Sequence, residues 1–484
     1  MISMEDRPEI TATHPTRHNV LQRKAISMQR SSIKVIIIGA GTGGLALAHG
    51  LKQADIDVSV YERDLTPRDA RGGYRVGISP AGSQALQSCL PPRLFDLFVA
   101  TSARPPRYFN MLTEQLSELV SLEMEQEDPV NSEKNVNRMT LRQVLLTGLE
   151  DVVRFNKKFL RYEQDSDGAV TVFFEDGTRC TGDVLIGADG AGSRVRKQRL
   201  PHARHEETGI LSIGGKLPMT AESKALLSNK MFNGMSMIMA PKGVGAIIHS
   251  LEFKWNRPDW RLAAREGVGD VIAQWPGFVN ETTGDYIGWG LWASRKQFPA
   301  DPASLEGADL VRLVGEMTRG WHPNFHKLIQ MTDPATILAL NVRTSVPVPP
   351  WESSNITLLG DAIHTMTPGR GAGANTALRD SALLLKRLRE VCHGDRPLIE
   401  AIHQYEAEML RYSSEAVLES KKQMDANDMI HKPILGRIQL MAMRISMRVV
   451  NAVPMLKRRI TQSLRRSRAA EVSDTSSNSE RLHA

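Results

Sequence analysis

The sequence predicts an α/β fold, in which a parallel sheet is interrupted by an inserted antiparallel-sheet domain and followed by a helical extension. Three observations predict it. A short, β-branched apolar run at 35–38 stops at a glycine cluster and leads into a helical pattern and a second strand, as a βαβ unit requires. A similar run at 356–359 again ends in Gly-Asp and feeds a helix. Between these two, from about residue 205 to 345, the pattern changes to separated strands of alternating polarity.

In chain order, residues 1–31 lack hydrophobic periodicity and are expected to be disordered. Their acids argue against a transit peptide, and no apolar segment suggests secretion, so an intracellular protein is expected. Gly39, Gly41 and Gly44 follow the first strand in GxGxxG spacing. The first permits a tight turn, the second lets backbone approach a pyrophosphate, and the third packs the helix on the strand. The helix N-terminus offers bare amides to the phosphates. The second strand ends at Glu62, placed to accept hydrogen bonds from an adenosine ribose. This fingerprint leaves FAD and NAD(P) both open, with Arg63 blurring the usual argument against a 2′-phosphate.

Gly72 and Gly73 lie in an Arg- and Asp-rich stretch, readable as a loop flat against a planar ligand or as plain surface. Helices are predicted at 80–89 and 94–100, a strand at 107–124, and a helix carrying Leu141, Leu145 and Leu149 on one face. Arg138 and Arg142 near its start oppose the helix dipole, which an adjacent anion would explain. Strands at 158–163 and 169–175 precede a third apolar strand that runs into the turn Gly187-Ala188-Asp189-Gly190. In the inserted domain, strands are expected at 209–216, 232–240, 244–253 and 285–293, with one apolar face able to line a pocket. Trp255, Trp260, Trp275, Trp289 and Trp292 are read as core. After Asp361, the side-chain-poor loop Pro368-Gly369-Arg370-Gly371-Ala372-Gly373 opens a helix whose bare amides suit a ring that becomes anionic on reduction.

Taken together, GAGTGG with Glu62, GADGAGSRVR and GDAIHTMTPGRGAGAN resemble the fingerprints of the group A FAD-dependent monooxygenases, the para-hydroxybenzoate hydroxylase-like family, over about residues 33–420. The phrases VSVYERD and NRxxLR are similar to the tetracycline-degrading members, and the layout is similar to fungal secondary-metabolite monooxygenases. The resemblance implies FAD as cofactor and NADPH or NADH as co-substrate. It implies that Gly39, Gly41 and Gly44 hold the FAD pyrophosphate, Glu62 the ribose, and Arg63 and Arg138 the adenosine and phosphate side. Gly73 joins the cofactor-binding set, Asp189 serves FAD and NADPH together, and Asp361 binds the ribityl or pyrophosphate region. Gly371, Gly373, Ala374 and Asn375 would face the isoalloxazine edge. Ala372 stands where the family often has Gln, so a side-chain contact is lost there. The implied reaction inserts one oxygen atom from O2 into a small hydrophobic cyclic metabolite. The sequence names no catalytic acid or base, and His364 reads as structural. A flavin dehydrogenase or reductase, or a non-catalytic nucleotide-binding protein at a membrane, is the alternative.

Charge distribution argues against nucleic acid as a partner. Of 61 Lys and Arg, ten fall between Met429 and Ala470, where there is no acid, leaving 51 against 54 acids elsewhere. Cys89, Cys180 and Cys392 form neither a disulfide framework nor a metal site. The expected organisation is a disordered extension at 1–31, an FAD-binding domain in two parts at 32–205 and 346–424, and a substrate domain at 206–345. A basic amphipathic extension at 425–470 and a disordered tail at 471–484 complete it. Apolar and basic residues at 434–468 suggest contact with an anionic membrane surface.

Overall fold

The computed structural model describes residues 33–67, 73–124, 132–254 and 284–463. The expectations for residues 1–31, Gly72, Trp255, Trp260, Trp275 and the tail at 471–484 lie outside the described residues. The strands are, in order, β1 (Lys34–Ile38), β2 (Asp57–Tyr61), β3 (Arg75–Ile78), β4 (Tyr108–Thr113), β5 (Glu118–Glu123) and β6 (Lys134–Asn137). They continue as β7 (Val153–Arg154), β8 (Phe159–Gln164), β9 (Val170–Phe174), β10 (Arg179–Gly182), β11 (Val184–Gly187) and β12 (His205–Pro218). The last five are β13 (Gly234–Met239), β14 (Gly245–Leu251), β15 (Tyr286–Ser294), β16 (Leu338–Ser345) and β17 (Ile356–Leu358).

The first unit is a five-stranded parallel sheet in the order β17-β11-β1-β2-β7. Its strands β1, β11 and β17 are buried on both faces, which is why they read as largely apolar runs. The helices Thr42–Gln53, Gly373–Cys392 and Leu398–Gln423 contribute to its core through residues such as Leu45, Leu385 and Tyr405. The first two cross closely: a Cβ on Gly43 would lie 3.1 Å from the Ala377 carbonyl, and Ser381 Oγ donates to the Gly43 carbonyl at 2.8 Å.

The second unit is a seven-stranded sheet in the order β16-β12-β15-β14-β13-β4-β5. Two expectations are corrected here. The sheet is mixed rather than antiparallel, because β13 pairs with β4 in parallel. It also draws β4 and β5 from residues 108–123, ahead of the region assigned to it from sequence. A half-buried strand carries the same alternating pattern whichever sheet it joins, so its partner is not written in its own residues. One face is covered by the helices Ala308–Met317 and Pro323–Gln330, whose Leu310, Val314 and Phe325 pack on Ile213, Ile248, Ile287 and Leu291. Trp289 belongs to this core and donates to Thr332 Oγ1 at 2.8 Å, whereas Trp292 faces the other way.

The helix Leu435–Ala452 lies against the edge strand β5. Leu440 faces inward, Arg444 pairs with Glu114, and Asn451 donates to Glu118 at 3.1 Å. Covering an otherwise open strand edge suppresses unwanted pairing.

Candidate active site

The β1 strand ends at Gly39, whose φ of +111° is a conformation few L side chains adopt, and whose Cβ would lie 2.3 Å from the Ala188 carbonyl oxygen. Gly41 caps the helix Thr42–Gln53 with no side-chain hydrogen bond, so the first amides are left for a ligand. Gly44 packs so tightly that a Cβ would reach within 2.3 Å of the Gly39 carbonyl. In front of this turn is a cavity of about 520 Å³, lined by Gly39, Gly41, Glu62, Arg63, Arg138 and Asp189 among the residues expected from sequence.

Glu62 is buried, and its carboxylate is already in use. Oε2 accepts the Ala40 amide at 2.7 Å and Oε1 accepts the Asp64 amide at 3.0 Å, leaving further lone pairs toward the cavity. Arg142 pairs with Asp64 at 2.7 Å and comes within 3.9 Å of Glu62, while its Nε and Nη2 are buried with no hydrogen-bond partner among the described residues. Asp189 accepts the Arg194 amide through Oδ2 at 2.7 Å, and its buried Oδ1 likewise has no hydrogen-bond partner among the described residues. Arg138 stacks over Tyr74 at 5.6 Å. Orphaned buried polar groups call for a ligand or water, and here they surround bare helix amides. The residues fit a dinucleotide bearing phosphates and ribose hydroxyls.

At the other end, Gly360 adopts φ of +65° and sends the chain into the short helix Asp361–His364, with Asp361 exposed. Beneath it, His364 Nε2 donates to Asp380 Oδ2 at 2.6 Å, and the Gly360 amide donates to the same oxygen at 2.8 Å. Tyr412 donates to Asp380 Oδ1. Burial disfavours the imidazolium, but the Asp380 charge and hydrogen bond overcome this and raise the His364 pKa above its ordinary value. His364 therefore fastens the Gly-Asp turn to the helix Gly373–Cys392.

Gly371, at φ of +62°, turns the chain into that helix, which has no side-chain cap; Gly373 and Ala374 form its first turn. Asn375 is used within the protein. Its Oδ1 accepts the Ser79 amide at 2.8 Å and its Nδ2 donates to the Gly77 and Gly371 carbonyls, both at 3.0 Å. The side chain thus ties β3 to the loop and leaves backbone, not amide, to face a ligand. Gly73 lies away from the nucleotide cavity, beside Asn137 and Lys216.

Beside β3 and β6 lies the face of the seven-stranded sheet opposite the helices Ala308–Met317 and Pro323–Gln330. Register places Lys216, Gly288, His249, Met235 and Phe109 in one row across it, and Gly214, Gly290, Ile247, Met237 and Met111 in the next. Trp292 lies at the far end over Gly245, where a Cβ would meet its ring at 2.3 Å. Glycines make the floor, and Met, Ile, Phe and Trp side chains make the walls of an apolar bed.

A family model described as FAD binding domain matches residues 315–420. A dual O-methyltransferase/FAD-dependent monooxygenase of Cercospora beticola is 34% identical over 394 residues, 78% of this chain and 44% of that protein. This chain thus spans less than half the length of that relative. The 6-methylsalicylate 1-monooxygenase of Aspergillus terreus is 28% identical over 410 residues, 80% of this chain and 82% of the relative. The crystal structure of a protein assigned as an FAD containing monooxygenase, from Photorhabdus luminescens, is 32% identical, with a TM-score of 0.71 over 82% of this chain and 98% of that one. The chain belongs to the FAD-dependent monooxygenases.

As a monooxygenase, the chain takes FAD as its cofactor. Lys157, Lys158, Phe159 and Arg194 also line the cavity, unannounced by sequence, and Arg142, from sequence only a cation in need of an anion, lines it too. Lys157 and Lys158 sit at the start of β8, in a hairpin whose sequence reads as ordinary surface. No local pattern marks them.

Proposed function

We propose that this monooxygenase uses NADPH or NADH and O2 to insert one oxygen atom into a small hydrophobic cyclic or aromatic metabolite of secondary metabolism. The observation that carries the reading is the glycine-floored apolar bed beside the Gly371–Asn375 turn. Of the five strands these rows cross, the four from β12 to β13 span about 14 Å and the two rows about 7 Å, the scale of one or two fused rings. The named activity of the Aspergillus relative supports the same size class.

When bound, FAD supplies the hydride acceptor and the oxygen-activating centre. The protein's part is positioning and electrostatics. Gly39, Gly41 and Gly44 would admit the pyrophosphate, Glu62 the ribose, and Arg142, Arg138 and Arg63 the negative charge of the phosphate side. The helix beginning at Gly373 would place its amides at the ring edge, where a positive dipole end stabilises negative charge. The bed's apolar walls would keep water from the reacting atoms.

The test is incubation of FAD-loaded protein with reduced nicotinamide, 18O2 and metabolites extracted from a strain lacking the gene. A product one labelled oxygen heavier than its precursor is expected. A product lighter by two hydrogens would replace this reading with a dehydrogenase, and no product with no nicotinamide oxidation would replace it with a binding protein.

We infer that the helix Leu435–Ala452 rests on an anionic lipid surface. Ile438, Met441, Ile445 and Val449 form one outward stripe, with exposures of 61%, 66%, 52% and 49%, and Arg437 and Arg448 are exposed on the same helix. The acid-free segment 429–470 supplies charge complementarity. No helix among the described residues is long and apolar enough to cross a membrane. Flotation with phosphatidylserine vesicles but not phosphatidylcholine vesicles is expected, and lost on replacing Ile438, Met441 and Ile445 by Ser. Equal behaviour on both vesicles, or a dimer that these substitutions dissolve, would overturn it.

A further inference from the structure

The stretch of chain that joins the flavin-side loop to the surface helix Leu435–Ala452 is fastened at successive points. The helix Leu398–Gln423 ends against the turn Pro368-Gly369-Arg370, where Thr367 Oγ1 donates to the Ser420 carbonyl at 2.6 Å and Arg370 pairs with Glu419 at 3.7 Å. Met424 follows, and its Cγ stands 3.1 Å from where a Cβ of Gly369 would lie. The same side chain is 5% exposed and packs with Ile210 and Val342, with Ala426 and Trp292 against them. Met424 thus touches the turn that leads into Gly371 and also the cluster that holds Trp292 at the far end of the apolar bed.

Further along, the Ala426 amide donates to the Thr208 carbonyl at 2.9 Å, and a Cβ at Gly209, whose φ is +72°, would lie 2.9 Å from the Ala426 methyl group. The β12 register shifts between Glu207 and Leu211, so the strand bulges where this chain crosses it. The turn Met429–His431 comes next, with Asp428 accepting the Ile430 amide at 2.9 Å and His431 Nδ1 donating to the Lys242 carbonyl at 3.2 Å. Gly436 then packs the start of the surface helix on Ile430. Close-packed links of this kind carry a displacement from one end to the other.

The helix itself is held lightly. Its buried residues are Gly436 and Leu440, and polar contacts supply further holds, Arg444 on Glu114 and the Met239 carbonyl, and Asn451 on Glu118. A lipid phosphate competes with Glu114 for the Arg444 guanidinium, and the outward apolar stripe gains burial by entering lipid. The seat that suits a membrane therefore differs in free energy from the seat on β5, and such a difference is what lets a ligand shift a conformational equilibrium.

We propose that an anionic membrane is an effector of this enzyme as well as its support: seating of the helix Leu435–Ala452 on lipid moves the chain Met424–His431, and with it the turn Pro368-Gly369-Arg370 on the flavin side and Trp292 at the end of the bed. The proposal rests on the reading of this helix as lipid-facing. Met424 is the connecting residue, since it alone in this stretch is placed against Gly369.

The experiment uses full-length, FAD-loaded, oxidised protein and follows flavin absorbance and fluorescence as phosphatidylserine or phosphatidylcholine vesicles are added, with flotation measured on the same samples. The flavin signal is expected to change with phosphatidylserine, saturating at the lipid concentration that saturates flotation, and to stay constant with phosphatidylcholine. Met424→Ala is expected to float as the native chain does and to lose most of the flavin response. Ala426→Gly removes one methyl group beside Gly209; it is expected to float normally with a smaller response, and it decides the matter if Met424→Ala purifies without flavin. Flotation with an unchanged flavin signal would overturn the coupling and leave the lipid-facing reading standing. No flotation would overturn both. A native-sized flavin response in Met424→Ala, or in Ala426→Gly where that variant decides, would rule out this chain as the connection and with it the proposal.

Discussion

The nucleotide crevice and the substrate-facing sheet both depend on glycine, but for opposite reasons. In the crevice, glycine lets backbone touch backbone: a Cβ at Gly39 or Gly44 would lie 2.3 Å from a carbonyl oxygen. On the sheet, Gly290 leaves room. The nearest atom to a Cβ at Gly290 is the Ile247 side chain at 3.3 Å, with only one backbone oxygen at 4.0 Å. A crevice of this kind has a single shape and serves one cofactor, while a bed bounded by side chains can be resized without rebuilding the chain. The two regions should therefore fail differently when altered.

The largest effect is expected in the crevice. Gly39→Val places a branched side chain against the Ala188 carbonyl at a φ of +111° that β-branched residues do not adopt. The variant should purify without flavin, with no absorbance near 450 nm, and with a lower Tm. A yellow variant with native flavin content would show that the two regions do not differ as argued.

Next comes the fastening beneath the Gly-Asp turn. Asp380→Asn leaves His364, the Gly360 amide and Tyr412 around a neutral group, and losing one partner of a buried pair costs about 3–5 kcal/mol. The raised pKa of His364 fixes the sign of the pH dependence. Its contribution is fully present below the unfolded value, about 6.5, and is lost as pH rises through the folded value. Thermal unfolding of the native chain should thus show Tm falling from pH 6 into the alkaline range, and Asp380→Asn should flatten that slope. An unchanged slope would mean that His364 is not the group responsible.

Arg142→Met tests the crevice by charge rather than by shape. Its Nε and Nη2 have no hydrogen-bond partner among the described residues, so removing them should weaken FAD by about ten- to a hundred-fold on titration of apoprotein. Native affinity would assign the orphaned guanidinium to water instead.

How much of this was readable in the sequence follows the same division. Gly39, Gly41, Gly44 and Glu62 lie within one βαβ unit, so their spacing alone positions them, and the parallel sheet and its helices form where the apolar runs indicate. Asn375 is only partly legible: its place after the glycine loop is plain, but its bonds to Gly77 and Ser79 bridge nearly 300 residues and direct its side chain inward. The sheet face was not legible. Lys216, His249 and Gly290 acquire a common surface only through the register of β12, β14 and β15, and a one-residue slip would turn each of them to the opposite side. Parallel pairing of β4 with β13 was hidden for the same reason.

The smallest effect should be found at Gly290, and it isolates the sheet from the crevice. A valine there meets the Ile247 side chain at 3.3 Å, a contact relieved by a small rotation, and projects its methyl groups over the floor between Gly214 and Ile247. Gly290 has no positive φ, so the backbone need not strain, and valine suits a strand. Flavin content and Tm should therefore stay near native while the ring loses its seat, raising KM for an aromatic substrate by about tenfold, the worth of roughly 1.4 kcal/mol of lost contact. Loss of flavin in this variant would mean that the bed and the crevice share one packing unit. Unchanged KM would move the substrate off the Gly214 and Gly290 floor. A raised KM with native flavin would establish that the cofactor's shape is held by backbone and the substrate's by side chains, so that relatives sharing the crevice can differ in what they oxidise.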